Sequence, residues 1–314
     1  MDVLLEARNL TKTFGSLKAV DDISLTVKKG EILGFLGPNG AGKTTTMKML
    51  AGFLAPTGGE TFVCGEAVST ASVKARAHMG YLPEGAPLYG EMTPRSFLRF
   101  VAAAHSIAKV EAAEVVESAA GAVNLHSVME QRIDTLSKGY KRRVGIAAAI
   151  LHAPDVLILD EPTDGLDPNQ KHEVRRLIEA MSVDRAIIIS THILEEVDAL
   201  CHRAIIINRG RIVADGTPSE LKSRSRYKNA VTMLMPTGNA DAAAAALRAH
   251  KAVFALEEAA EGMNTRLTVL PRGRADIAAD ISELAGESGW PVTEFSVDSG
   301  RLDDVFRHLT EGDA

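Results

Sequence analysis

The segment Gly37-Pro38-Asn39-Gly40-Ala41-Gly42-Lys43-Thr44 fits the pattern GxxxxGK[ST] without a mismatch. Such a loop works only between a strand that delivers it and a helix that receives it, so it constrains the fold at once. Both neighbours are present: Glu31–Leu36 reads as a short apolar strand, and Lys43–Leu50 as a helix that stops at Gly52. The glycines let backbone N–H groups turn inward around a phosphate, and the helix N-terminus adds a favourable dipole. Lys43 offers a point charge to the β- and γ-phosphates of a nucleotide, and the Thr44 hydroxyl offers a ligand to Mg2+.

The rest of the chain agrees with a layered α/β domain. Upstream, Val3–Ala7, Leu17–Ala19 and Ile23–Val27 read as strands, interrupted by Asp21-Asp22. Downstream, Val156–Asp160 and Ala186–Ser190 are continuously apolar strands, as expected of a sheet buried on both faces. Helical spacing runs through Leu98–Asn124, Arg142–Leu151, Lys171–Met181 and Leu194–Cys201. Ala204–Asn208 and Ile212–Ala214 flank Arg209-Gly210, a hairpin signal. The basic, polar stretch Lys222–Lys228 reads as a linker. Beyond it the order is strand, helix, strand, strand, helix, strand (Ala230–Met235, Ala240–Ala249, Ala252–Leu256, Thr265–Leu270, Ala275–Glu287, Val292–Val297), closed by a helix at Leu302–Leu309. That order predicts a small ferredoxin-like α+β domain. The expected domains are residues 1–222 and 223–314.

The strand Val156–Asp160 ends in two acids, Asp160 and Glu161. Asp160 is placed to face the phosphate loop and hold Mg2+, directly or through water. Glu161 is placed to take a proton from, or polarise, an attacking water. Asp164 and Asp167 are also candidates to cap the following helix.

Charge narrows the function. The net charge is −6 at pH 7, which disfavours a nucleic-acid partner. Cys64 and Cys201 show neither CxxC nor Cys/His spacing, and two buried thiols in a reducing compartment are expected. Met1–Leu10 lacks the pattern of a secretory signal, and no stretch approaches the ~18 uninterrupted apolar residues of a membrane span.

The phosphate loop, Leu136-Ser137-Lys138-Gly139-Tyr140, Asp160-Glu161-Pro162-Thr163 and Ser190-Thr191-His192 occur together in the order and spacing of the ABC-transporter ATPase family, which residues 3–222 resemble. The resemblance implies a P-loop ABC cassette with a β-rich N-terminal subdomain, an α/β core and a helical subdomain at about residues 92–150. ATP and Mg2+ are implied as cofactors, with Gly37 through Thr45 contacting the nucleotide. Leu136–Tyr140 resembles the family's signature loop, usually LSGGQ, with Lys138 in place of the first glycine and Tyr140 in place of the glutamine. Ser137 and Gly139 remain, and the family uses them across a dimer interface on the other subunit's ATP. His192 resembles the family's switch histidine at the γ-phosphate, and Asp167 its loop between subunits. Phe14 stands where the family stacks an aromatic on adenine; the bland alternative is a core aromatic on an N-terminal strand. Glu84, in Gly80-Tyr81-Leu82-Pro83-Glu84, replaces the family's usual glutamine, which reaches the metal and the membrane subunit. Its carboxylate keeps an oxygen for Mg2+ and catalysis but adds a negative charge; the bland alternative is a solvated loop acid.

The expected function is ATP hydrolysis in a dimer of two copies, or of one copy and a paralogous cassette. The dimer would drive separate membrane-spanning permease subunits from the cytoplasmic face of the cell membrane. The lysine-bearing signature loop, Glu84 and the closing Arg301–Phe306 segment resemble ABC-2-type exporters, which favours export. The alternative is a soluble ABC-type ATPase acting on ribosomes or nucleic acid. Such proteins usually carry two cassettes, zinc-binding inserts or coiled coils, and none is evident here. A P-loop kinase or GTPase would leave the signature loop and His192 unexplained.

Overall fold

The computed structural model describes residues 2–311. The chain divides into two compact units between Asp215 and Gly216.

The first unit opens with a hairpin of β1 (Val3–Phe14) and β2 (Leu17–Lys28), followed by β3 (Ile32–Leu36) and α1 (Lys43–Leu50). The break expected at Asp21-Asp22 is only an irregularity within β2. Asp22 takes a left-handed backbone (φ 59°), and Asn9 Nδ2 donates to its carboxylate at 2.8 Å, so pairing with β1 resumes beyond it. Strands β4 (Gly58–Val63) and β5 (Glu66–Ala67) complete an antiparallel sheet of order β2-β1-β4-β5.

Next come α2 (Val73–Ala77), β6 (Met79–Leu82), α3 (Pro94–Ala104), α4 (Lys109–Ala122) and α5 (Lys138–Ile150). The helical stretch expected over Leu98–Asn124 is therefore two helices, and the first begins earlier. Thr93 caps α3 by accepting from Ser96 N, and Pro94 fits the first turn, where its missing N–H costs nothing. The chain then reverses through Ser106, at φ 60°. The unit finishes with β7 (Val156–Asp160), α6 (Pro168–Ser182), β8 (Ala186–Thr191), α7 (Leu194–Leu200), β9 (Arg203–Asn208) and β10 (Arg211–Gly216).

The second sheet has the order β10-β9-β3-β8-β7-β6, and β9, β3, β8, β7 and β6 run parallel. Every residue of β3, β7 and β8 is buried, which is why these strands read as unbroken apolar runs. Register aligns their ends: Leu36 pairs with Thr191, Asp160 with Ser190, and Leu82 with Leu159. The loops after β3, β6, β7 and β8 therefore leave from one edge. Gly34 brings α7 close to β3, because a Cβ there would meet Cys201 Sγ at 2.9 Å and Val197 Cγ2 at 3.3 Å.

The second unit begins at α8 (Pro218–Lys222), which starts with a Thr217/Glu220 capping box. The stretch 222–228, expected to be a linker, is packed: Ser225 and Tyr227 are buried, and Tyr227 joins Ala230 and Leu270 in a small cluster. The elements β11 (Val231–Pro236), α9 (Thr237–Ala249), β12 (Val253–Glu261), β13 (Asn264–Pro271), α10 (Ala278–Glu287) and β14 (Glu294–Val297) follow the expected order. Their antiparallel sheet, β12-β13-β11-β14, buries Val231, Met233, Leu267 and Val269 against α9 and α10, and α11 (Leu302–Glu311) closes the unit.

Among the described residues no helix is long and apolar enough to cross a membrane. Both cysteines are free. Cys201 is buried, its thiol pushed up to about 12 by burial, but Cys64 is only partly so, contrary to expectation.

Candidate functional site

The phosphate loop leaves β3 and enters α1 without side-chain capping. Gly42 is left-handed (φ 106°), and a Cβ there would meet the Ala19 carbonyl oxygen at 2.5 Å, so only glycine closes this turn. Lys43 is 8% exposed and folds back over the loop, its Nζ donating to the Gly37 carbonyl at 2.7 Å and the Pro38 carbonyl at 3.3 Å. Burial pulls its pKa below the ordinary lysine value, and the charges of Glu161, Asp160 and Glu84 oppose that shift.

A cavity of about 530 Å3 opens over this loop. Its walls bring together Phe14, Pro38, Asn39, Gly40, Gly42, Lys43, Thr44, Thr45, Glu84, Glu161 and His192, with Asp164 beside them. Phe14 is 48% exposed on this wall, which settles against the core-aromatic alternative. Gly37 and Ala41 form the loop's inner side and do not line the cavity. Glu84, Thr44 and Asp160 also share a smaller adjoining cleft. Asp160 is fully buried; Ser190 Oγ donates to its Oδ1, whereas Oδ2 has no hydrogen-bond partner. An orphaned buried carboxylate oxygen beside a threonine hydroxyl and a second carboxylate is a donor set that fits a hard cation such as Mg2+.

Glu161 follows with a left-handed backbone (φ 49°) and is 8% exposed. Non-glycine residues in that region cost about 1–3 kcal/mol and persist only where neighbours hold them. Here the Glu161 N–H donates to the Ser190 carbonyl at 3.1 Å and to Ser190 Oγ at 3.3 Å. Its carboxylate meets His192 Nδ1, which lies 3.0 Å from each oxygen. Burial raises the Glu161 pKa, and the hydrogen bond and charge of His192 partly oppose it.

The remaining predicted residues lie elsewhere. Ser137 is the exposed N-cap of α5, accepting from Tyr140 N at 3.4 Å. Asp167 caps α6, accepting from Gln170 N at 2.9 Å, while Asp164, the other capping candidate, faces the cavity. Gly139 packs on Gln170, whose Cδ lies 2.9 Å from where a Cβ would stand. Ser137, Gly139 and Asp167 thus border one another but not the phosphate cavity of their own chain.

Sequence reasoning missed two buried charges. Arg142, on α5, is 7% exposed and has an unpartnered Nη1. Burial lowers its pKa against the pull of Asp164, Glu161, Glu84 and Asp160. Four acids thus face two cations, Lys43 and Arg142, an excess of negative charge that suits a divalent metal. Glu196, on α7, is 3% exposed; it accepts from Thr163 Oγ1 and, at 3.0 Å, from Thr191 Oγ1. Neither residue carries a motif, and each acquires its neighbours only through the fold.

One further cluster is not read as a metal centre. Donor atoms of Cys64, His78 and Asp155 lie within 4.8 Å of one another. However, His78 Nδ1 and Asp155 Oδ2 are only 2.6 Å apart, a hydrogen bond and closer than the roughly 3.3 Å between two ligands of a tetrahedral zinc. Burial also raises the Cys64 pKa and so keeps its proton on.

The fold and this cleft define a P-loop nucleotide-binding cassette. The profile of the family described as ABC transporter matches residues 20–164. The "Probable multidrug ABC transporter ATP-binding protein YbhF" of Escherichia coli K12 is 39% identical over 226 residues, covering 71% of this chain and 39% of that protein. The chain therefore spans well under half the length of that relative. The "Nod factor export ATP-binding protein I" of Cupriavidus metallidurans is 36% identical over 222 residues, covering 70% of this chain and 73% of that one. Among solved structures, cbiO1 from Clostridium perfringens, part of the ABC transporter complex cbiONQ, superposes with a TM-score of 0.65 at 28% identity, over 71% of this chain and 92% of that one. This chain belongs to the ABC transporter ATP-binding family.

Proposed function

We propose that the protein binds and hydrolyses ATP as one cassette of a dimer that drives export through separate membrane-spanning subunits. The observation that carries this reading is one cavity gathering the Lys43 loop, Asp160's neighbourhood and the Glu161–His192 pair. In this reading Phe14 stacks on the adenine through its π-face. The loop from Gly37 to Thr45 wraps the phosphates, and Lys43 exchanges its two carbonyl contacts for the β- and γ-phosphates. Thr44, Asp160 and Glu84 would hold Mg2+, which would supply neutralisation of the phosphate charge. Glu161 accepts a proton from the attacking water, and His192 orients Glu161 and contacts the γ-phosphate. Ser137 and Gly139 act on the ATP of the partner cassette, and Asp167 lies at that same junction.

The membrane partner has a candidate seat in the same unit. An apolar cavity of about 490 Å3 lies between α3, α5 and β6, with Phe53, Tyr81, Leu88, Phe97 and Val101 on its walls. Its size and chemistry suit an amphipathic helix of a permease, which would hold the protein peripherally on the cytoplasmic face of the membrane. The relatives' names, multidrug transport and Nod factor export, favour export over import.

The test is Mg2+-dependent ATP turnover by the full chain, with calorimetric ATP binding alongside. Wild type is expected to bind and turn over ATP, and Lys43→Ala to lose tight binding. Undiminished affinity in Lys43→Ala would sink the reading.

A further inference from the structure

We infer that Glu196 is a positioning residue for hydrolysis: a buried carboxylate that clamps the loop carrying Glu161 to the loop carrying His192. The inference rests on the ATPase reading above and adds a residue that contacts neither nucleotide nor water in it.

Thr163 lies two residues after Glu161, and Thr191 immediately precedes His192. Both threonines are buried, at 2% and 1% exposure, and their hydroxyls donate to the two different oxygens of Glu196. Thr191 Oγ1 in turn accepts from Ile193 N at 3.0 Å, which fixes the hydroxyl and the turn into α7. Among the described residues Glu196 has no ion-pair partner. A buried carboxylate held only by hydroxyls costs stability compared with an apolar side chain of the same shape. What it gains here is geometry, because the two loops leave separate strands and share few other links. Ser190 holds the backbone of Glu161, and His192 meets its carboxylate. Among the described residues Glu196 alone links the Thr163 and Thr191 hydroxyls, and without it the 3.0 Å approach of His192 Nδ1 to Glu161 loses its outer support. The close seat of α7 on β3, permitted by Gly34, delivers the carboxylate to this point.

The experiment compares wild type with Glu196→Gln, Glu196→Ala and the pair Thr163→Val/Thr191→Val in the full chain, measuring ATP affinity, KM and kcat. Glutamine is isosteric and bridges both hydroxyls, accepting from one and donating to the other, so turnover within about threefold of wild type is expected. Glu196→Ala and the double valine variant are expected to bind ATP within about twofold of wild type while kcat falls at least tenfold. KM is expected to stay within about twofold of wild type, so that the loss falls on kcat alone. A merely structural loss would lower ATP affinity together with kcat and would not be rescued by glutamine. If wild type turns over ATP and Glu196→Ala keeps its kcat, the clamp is wrong and the ATPase reading stands. A fall in Glu196→Gln equal to that in Glu196→Ala also overturns the clamp, because charge rather than bridging would then matter. If wild type shows no turnover, the ATPase reading fails and takes the clamp with it.

Discussion

Glu161 is held in a backbone region that costs about 1–3 kcal/mol, and its carboxylate is buried beside His192. Strain at that residue makes sense if the position of the carboxylate matters more than local comfort. A base must be ionised to act, and burial raises the Glu161 pKa. Turnover should therefore be lost as pH falls through a value above the ordinary glutamate pKa of about 4.3. Glu161→Gln, whose amide takes no proton, should bind ATP normally while kcat drops by ~10²–10⁴; wild-type turnover in that variant would remove Glu161 from the mechanism. Glu84 poses the opposite question. It shares the cavity with Glu161, and two unit charges ~6 Å apart repel by roughly 3 kcal/mol at an effective dielectric of ~20 before salt screening. Arg142 and a bound cation offset part of that. Glu84→Gln is therefore expected to keep or raise steady-state turnover at saturating Mg2+. A loss beyond tenfold with unchanged ATP affinity would show that the carboxylate itself takes part.

Elements place these residues, and their legibility in the sequence followed their physics. The strands β3, β7 and β8 announced themselves because burial on both faces leaves an unbroken apolar run, and the phosphate loop because its glycines are irreplaceable. By contrast β4, partly exposed and opening on Gly58-Gly59, and α2, only five residues long, carry no periodic signal. The reversal at Ser106 was hidden because no glycine or proline marks it. Glu196 and Arg142 look like ordinary helix-surface charges until the fold buries them. The junction of α5 with β6 adds a consequence that only structure reveals. His152, just past α5, has Nε2 3.0 Å from the Met79 carbonyl and stacks on His105 with centroids 3.9 Å apart. Burial, and then the neighbouring His105, push its pKa down to about 4. A histidine depressed in the folded state stabilises fully above its unfolded pKa of about 6.5. That contribution is lost as pH falls from there through about 4, because the unfolded chain takes up the proton first. Scanning calorimetry between these limits should show Tm falling with pH in wild type and falling less steeply in His152→Gln; parallel slopes would refute the assignment.

At the scale of the whole molecule, the proposed function requires one chain to hold two halves of a site that do not meet. Lys43, Glu161 and His192 face one cavity, whereas Ser137, exposed at the N-terminus of α5, faces elsewhere. A second cassette in the opposite orientation would bring each Ser137 to the other's ATP, completing two sites at once. Coupling then follows from linkage: ATP drives closure only in so far as it binds the closed dimer better than the open chains. Shifting a population from 1:99 to 99:1 takes roughly 10⁴-fold preference, or about 5.5 kcal/mol. Two hydroxyl bonds to charged phosphates, one per site, supply about 1.5–3 kcal/mol each, so the Ser137 pair alone covers much of that preference. Turnover would reopen the dimer, and the measurement therefore uses Glu161→Gln, in which ATP persists. Analytical ultracentrifugation of this variant with saturating Mg2+ and ATP should double the mass of the 33.5 kDa chain. Adding Ser137→Ala should weaken the association by roughly 10²–10⁴-fold, the fold-change equivalent of those two bonds, while leaving ATP affinity of the monomer unchanged. A chain that binds ATP yet stays monomeric would rule out pairing with its own copy, and a dimer indifferent to Ser137→Ala would show that the serine does not reach across.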